Sequence, residues 1–466
     1  MVHRQRSVWG RLAWLIGVGA LLAFVGLGSF RAAPPPDLRI APDRPGIGTR
    51  SSVRVTARTR GRGLSLLRVE LVQGQTSTIL TEKTHQPRPP WALWEEGVKE
   101  EDLRLEVGSE RVQGLQPGEA TLRVTAERAG AWLWRPRPEV AEVTLPVRLS
   151  APRISVLSSA NVVTQGGSGL VVYQVDSSAV RDGVRVGSLW FPGFPFPESG
   201  PADRFCLYGV PHDLDDRDQV ALVAVDDLEN EAVVPFLNRF EKRPPREEIL
   251  AISEAFLSKV VPELLAHAKL EDRGSPLETL LAINSDLRER DAERLRALAT
   301  TSSPRFLWSQ PFLVALPKAK RTSPFGSRRS YLFERRQVDR QDHLGIDLAS
   351  TRRASVVAAN KGVVALAEYL GIYGNTVVLD HGCGLMTLYA HMSEIDVELG
   401  RSVERGQRLG RTGATGLAGG DHLHFGVLVR GLPVNPLEWW DARWVRGHVA
   451  QRLGGILDLG QRAAQS

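Results

Sequence analysis

Apolar and polar positions alternate with different periods along the chain, and each change of period marks a segment. From Leu12 to Phe30 nineteen residues carry no charge, about enough to cross a bilayer as a helix. His3, Arg4, Arg6 and Arg11 precede this run. It exceeds the apolar core of a signal peptide, and Ala32-Ala33 lead into Pro34-Pro35-Pro36, a poor context for cleavage. Residues 1–36 therefore read as a cytoplasmic tail, an uncleaved transmembrane signal anchor and a Pro-rich linker. The basic amino end stays inside and the rest is exported, although Arg31 and Arg39 weaken that charge asymmetry.

From 37 to 150 the period is two. Val53-Arg54-Val55-Thr56-Ala57, Leu67-Arg68-Val69-Glu70-Leu71, Thr121-Leu122-Arg123-Val124-Thr125 and Val143-Thr144-Leu145-Pro146-Val147 alternate, with turns such as Pro117-Gly118 between them. Strands at this spacing predict an antiparallel sandwich of immunoglobulin-like type. The pairs Trp91/Trp94 and Trp132/Trp134 read as core or loop packing rather than a binding patch. Residues 151–240 repeat the theme with Arg153–Val156, Gly169–Val175 and Val220–Val225, a second immunoglobulin-like sandwich. Asp226-Asp227 and Asn230 offer oxygens of the kind calcium takes, yet a solvated turn is the simpler reading. The run Trp190-Phe191-Pro192-Gly193-Phe194-Pro195-Phe196-Pro197 is an apolar loop suited to docking on a neighbouring domain.

Over 241–302 the period becomes helical. Ile249, Leu250, Phe256, Leu257, Val260, Val261, Leu264 and Leu265 form a stripe, with Pro262 a kink point. Ser275-Pro276-Leu277-Glu278 then starts a second helix with an N-cap serine, proline at the first helical position and glutamate three residues on. The pair reads as a helical hairpin spacer. Residues 303–445 return to short strands with Gly-rich turns: Ala354–Ala359, Gly362–Ala367, Thr376–Asp380, Met386–Ala390 and His424–Val429. Residues 446–466 form a tail. The expected fold class is multidomain and mainly β: an anchor helix, two immunoglobulin-like sandwiches, a helical spacer and a carboxy-terminal antiparallel β domain.

Composition changes this picture little. The 466 residues suffice for about three domains. A net charge of +6 is small for that length and suits an anionic wall or membrane surface. No basic strip with interleaved aromatics is evident, so nucleic acid is not expected as a partner. Cys206 and Cys383 fall in different predicted domains and neither belongs to a Cys-x-x-Cys, so no disulfide or metal role follows.

Chemistry concentrates between His343 and Phe425, which hold five of the ten histidines. The stretch Asp342-His343-Leu344-Gly345-Ile346-Asp347 is interrupted by glycine and reads as extended, so His343 and Asp347, four apart, share a face. His422 and His424, two apart in a run that reads as a strand, also share a face. Imidazoles with one carboxylate suit a borderline metal such as zinc, and three protein ligands leave a position open for water. The remaining histidines are then placed to carry protons or to donate to a developing oxyanion. No His-Glu-x-x-His motif occurs.

His343-x-x-x-Asp347, Tyr389-Ala390-His391 and His422-Leu423-His424, in this order, resemble the lysostaphin/LytM-type zinc endopeptidases of peptidoglycan. The resemblance covers about residues 311–440. It is supported by Phe325-Gly326-Ser327-Arg328, Tyr373-Gly374-Asn375, Asp380-His381-Gly382, Gly406-Gln407-Arg408-Leu409-Gly410 and Thr412-Gly413-Ala414-Thr415-Gly416. It implies one zinc held by His343, Asp347 and His424, with His391 and His422 as the catalytic pair. It also makes Asn375 and Arg328 candidates for holding substrate. Ala418-Gly419-Gly420-Asp421 stands where the family usually carries Ser-Thr-Gly-Pro, and Gly426 where an acidic residue is common; both bear on substrate preference. The implied protein is a single-pass, inner-membrane-anchored, exported zinc metalloendopeptidase. It would cut peptide cross-links of peptidoglycan in wall remodelling or division, with its sandwiches open to envelope or divisome proteins. The competing class is a non-enzymatic regulator that activates another wall hydrolase. The helical spacer could also shield the metal cleft.

Overall fold

The computed structural model describes residues 3–30, 34–60, 63–86, 97–128, 130, 135–268, 273–454 and 457; Trp91, Trp94, Trp132 and Trp134 lie outside the described residues. The chain forms two compact units, Met1–Pro152 with Val225–Glu231, and Arg153–Ala224 with Ala232–Ser466.

In the first unit, helix α1 (His3–Phe30) contains Trp9–Gly26, a window with a mean hydropathy of 1.6. By length and composition it is long and apolar enough to cross a membrane. Strands Asp37–Pro42, Ser52–Arg58 and Glu100–Glu106 form one antiparallel sheet. Thr76–Thr84, Leu64–Gln73, Gly118–Arg128 and Glu139–Val147 form another, in that order. The period-two pattern shows why. Val53, Val55 and Ala57 are buried with Leu67, Val69, Leu122 and Val124 in one core, while Arg54 and Arg68 point outward to Asp102 and Glu82. The Asp226 turn is not solvated as expected. Its carboxylate is buried and accepts from the Leu228 and Asn230 backbone N–H groups at 2.9 and 2.8 Å and from Asn230 Nδ2 at 2.9 Å. The chain's own donors occupy the oxygens that a calcium ion would need.

Two more four-stranded sheets precede the helices. They run Phe194–Pro195, Asp203–Gly209, Ser168–Val175, Ile154–Val156, and Leu189–Pro192, Ala179–Val186, Val220–Asp226, Glu231–Pro235. The run at 190–197, expected as a loop, is largely strand, and Phe194 stacks on Phe205 of its own sheet, which stacks in turn on Phe306.

Helices α2 (Glu254–Ala268) and α3 (Pro276–Thr300) follow. The predicted start of α3 is present, with Ser275 Oγ accepting from the Glu278 N–H at 3.2 Å and donating to its carboxylate at 2.9 Å. Two expectations change. Ile249 and Leu250 belong to a strand, Glu247–Ala251, that pairs parallel with Ser327–Phe333, so Ile249 faces solvent. Nor do the helices act as a detached spacer. Their stripes are wider than the seam between them, and Leu257, Val260, Val261, Leu280, Ile283 and Leu287 bury the surplus against Tyr331 and Ile372.

The carboxy-terminal β domain is built on a ten-stranded sheet. Its main path runs Lys320–Ser323, Ile346–Ala349, Leu423–Val429, Leu385–Ile395, Gly374–Gly382, Gly362–Leu370 and Ser402–Val403. The closing segment caps it through helix α4 (Pro436–Trp440), whose Trp439 packs edge-on to Trp308 and Phe312.

Candidate metal centre

Three strands deliver the side chains. Arg336–His343 ends at His343, the chain bends at Leu344-Gly345, and Ile346–Ala349 carries Asp347. Asp347 lies directly opposite His424 in the antiparallel ladder, and His424 lies opposite Ala390 on its other side. His343 and Asp347 do converge, but across a bend between two strands rather than along one. Gly345 lets His424 approach this bend closely: a Cβ there would stand 2.4 Å from the His424 ring.

His343 Nε2, Asp347 Oδ1 and His424 Nδ1 form a triangle with edges of 3.0, 2.9 and 3.0 Å, and all three residues are buried. Zinc bonds of about 2.0–2.2 Å in tetrahedral directions need a triangle only about half an ångström wider. A slight opening therefore seats the ion, and the donor set is the one zinc takes. The protonation states agree. His343 Nδ1 donates to the Pro324 carbonyl at 3.0 Å, which leaves the Nε2 lone pair aimed at the cluster. Burial pushes His424 down to about 4. Burial alone would raise Asp347, but His343 and His424 hold it well below the usual carboxylate range. A neutral His424 and an ionised Asp347 are what a metal requires.

His391 and His422 stand beside this triangle, with ring centroids 4.8 Å apart and His391 5.8 Å from His424. His391 sits at an irregularity of its strand with φ 61°, a left-handed conformation that costs a non-glycine residue about 1–2 kcal/mol. Its Nδ1 donates to the Thr415 carbonyl at 2.8 Å, so Nε2 is the free nitrogen. Burial first, then His422 and His424, keep it neutral by pushing its pKa well below the usual value. His422 precedes its strand, bridges to Gly413 and donates from Nδ1 to the Gly420 carbonyl at 2.8 Å. Its Nε2 is 3.7 Å from Asp347 Oδ1.

The two candidate substrate residues, Asn375 and Arg328, both have protein partners. Asn375 Nδ2 donates to the Met392 carbonyl at 3.1 Å and so braces the strand next to His391. Arg328 points to Asp342 and Glu247, at 3.6 and 3.8 Å. Its neighbour Arg329 is the one that reaches the metal triangle. Arg329 Nη2 donates to Asp347 Oδ2 at 2.7 Å and to Ser323 Oγ at 2.9 Å, while Nε lies 3.4 Å from Glu248. The signal was present in the pattern. Ser327 and Tyr331 are the buried positions of the strand, and Arg329, midway between them, shares their face. The helices also reach the site. Glu263 accepts from the Gly416 N–H at 2.7 Å, beside the Thr415 carbonyl that holds His391, and Lys259 donates to the Ala418 carbonyl at 3.1 Å.

Two cavities open from the triangle. The larger, of about 800 Å³, runs from His343, His391 and His424 to α3 and to Trp190 and His212 of the preceding sheets. The smaller, of about 260 Å³, lies between the triangle and Leu250, Ile252 and Phe256. The helical segment walls both cavities, α3 the larger and Phe256 of α2 the smaller.

Residues 341–436 match the model of peptidase family M23. The chain is 43% identical over 96 residues to the peptidoglycan DD-endopeptidase ShyA of Vibrio cholerae serotype O1, covering 21% of this chain and 22% of that protein. It is 37% identical over 117 residues to the DD-carboxypeptidase/endopeptidase Mpg of Neisseria meningitidis serogroup B, covering 25% and 26%. The chain thus spans about a quarter of the length of the curated relatives it matches. Among solved structures, a zinc-containing peptidase from Vibrio cholerae aligns over 68% of this chain and 80% of its own, at 16% identity and a TM-score of 0.25.

Proposed function

We propose that this chain, whose carboxy-terminal domain is a LytM-type domain of peptidase family M23, is a zinc endopeptidase that hydrolyses peptide cross-links of peptidoglycan from a membrane-anchored position. The observation that carries the reading is the convergence of His343 Nε2, Asp347 Oδ1 and His424 Nδ1 beside two further histidines whose Nδ1 atoms are tied to carbonyls. Zinc, when bound by these three residues, supplies a Lewis acid for the peptide carbonyl and lowers the pKa of water.

The residues do the rest. His391 and His422 present Nε2 to the cavity, where the neutral ring accepts the proton of the attacking water and, once protonated, donates to the oxyanion or the leaving amine. Such proton transfer contributes about two to four powers of ten in rate. Arg329 holds the outer oxygen of Asp347 and keeps the inner one on the metal side.

In this reading α1 is a single-pass anchor in the inner membrane and the bulk of the chain is periplasmic. The paired sheets are immunoglobulin-like sandwiches offered to envelope or divisome proteins, with the wall as substrate in remodelling or division. The test uses the full-length chain with purified peptidoglycan, following turbidity and released peptides with zinc, with a chelator, and for His424→Ala. Metal-dependent release that His424→Ala abolishes is expected. A zinc-loaded chain that releases nothing from walls of several chemotypes would instead mark a regulator of another hydrolase.

A further inference from the structure

The two cavities that meet at the metal triangle differ in chemistry. The smaller is bounded on its far side by Leu250, Ile252, Phe256 and Leu417, all apolar. The larger ends on a face of α3 that presents Arg288, Ala292 and Arg296 at four-residue steps, hence on one side of the helix, with Arg430 beside them. Arg430 adjoins this face closely. A Cβ on Gly431 would stand 2.5 Å from Arg296 Cα, so the strand end is pressed against the helix.

Arg288, Arg296 and Arg430 lack a close ion-pair partner, although the Arg288 charge acts on Asp291, whose carboxyl burial pushes up. Among the described residues none of them has a carboxylate within 4.0 Å, whereas Arg328 and Arg329, on the neighbouring strand, each have two. Arg430 Nη1 donates only to the Ala299 carbonyl at 2.8 Å, and Arg288 Nε donates to Asn284 Oδ1 at 2.8 Å. Burial disfavours the Arg430 charge. Of the carboxylates that line the same cavity, Asp342 is held by His212 at 3.0 Å, and Asp213 and Glu289 are solvent-exposed. A guanidinium that is half-buried without a counter-charge is stabilised by an anion brought in with a ligand.

We propose that Arg288, Arg296 and Arg430 form a subsite that binds a free carboxylate of the substrate peptide, on the residue extending from the scissile bond toward α3. The enzyme therefore discriminates against the same peptide with that carboxylate converted to a carboxamide. The subsite lies on the helical segment and the strand end, so its selectivity comes with α3 and not with the metal-binding strands alone. This inference rests on the peptidase reading.

The test compares two soluble cross-linked peptides that differ only in carboxylate against carboxamide at the residue following the scissile bond, cleaved by the zinc-loaded full-length chain. The wild type is expected to prefer the acid by about tenfold or more in kcat/KM, chiefly through KM. Arg296→Gln, at an exposed position that does not threaten folding, and Arg288→Gln should each narrow that preference, and the double variant should bring it close to one. Raised salt should narrow it too. Equal cleavage of both peptides by the wild type, or an undiminished preference in the double variant, overturns the subsite. Cleavage of neither peptide by the zinc-loaded chain overturns the peptidase reading beneath it.

Discussion

Two buried histidines of the carboxy-terminal domain, His381 and His391, make an instructive pair. Both rings donate from Nδ1 to a backbone carbonyl, Lys361 at 2.7 Å and Thr415 at 2.8 Å, and burial keeps both neutral, with His381 pushed down to about 4. They differ in what meets the other nitrogen. His381 Nε2 accepts from the Thr387 hydroxyl at 2.8 Å, and Thr387 Oγ1 in turn lies 2.9 Å from the Tyr389 hydroxyl, from which it accepts. His391 Nε2 faces a cavity beside the metal triangle. A histidine is free to do chemistry when one nitrogen is pinned and the other is left without a protein partner; when both are satisfied it is a core residue.

The sharpest test of that contrast is His391→Ala. It should cost about 10²–10⁴ in kcat while leaving zinc content unchanged, read by elemental analysis and kinetics on the same preparation. Loss of zinc together with activity would instead place His391 among the ligands. Arg329→Met tests how far the pinning extends outward. Removing the donor to Asp347 Oδ2 should weaken zinc binding about 10–100-fold in competition with a chelator, with a smaller loss for Glu248→Gln. His381→Leu should do the opposite of His391→Ala. It leaves Thr387 and the Lys361 carbonyl unmatched and costs stability, about 2 kcal/mol in denaturant unfolding, with zinc content and kcat preserved.

The smallest effect concerns pH. The Glu438 carboxyl accepts from Ser168 N–H and Oγ at 2.8 and 3.0 Å, and burial pushes it up to about 7. Because the folded chain holds this proton more tightly than the unfolded one, the contribution is full below about 4.5 and is lost as pH rises through about 7. The unfolding midpoint should fall between pH 5 and pH 8, and Glu438→Gln should flatten that slope. An unchanged slope would mean that the carboxyl titrates normally.

The sequence by itself determined a good deal. Period-two alternation placed strands of the first unit, as at Val53, Val55 and Ala57, because a half-buried strand must put every second side chain inside. Ser275-Pro276-Leu277-Glu278 marked the start of α3, since capping is local chemistry between residues three apart. The order His343, Asp347, His391, His422, His424 named the cluster. Only the tertiary structure decided that Ile249 belongs to a strand, because a parallel partner, Ser327–Phe333, lies far away in sequence and supplies hydrogen bonds that outweigh a helical stripe. It alone turned the helix pair α2 and α3 onto the metal cleft, set His391 in its left-handed conformation, and sent Arg329 rather than Arg328 to Asp347. The physical reason is common to these cases. Periodicity and capping are carried by neighbours along the chain, whereas pairing, cavity walls and the partner of each buried nitrogen depend on residues that meet only after the chain has folded.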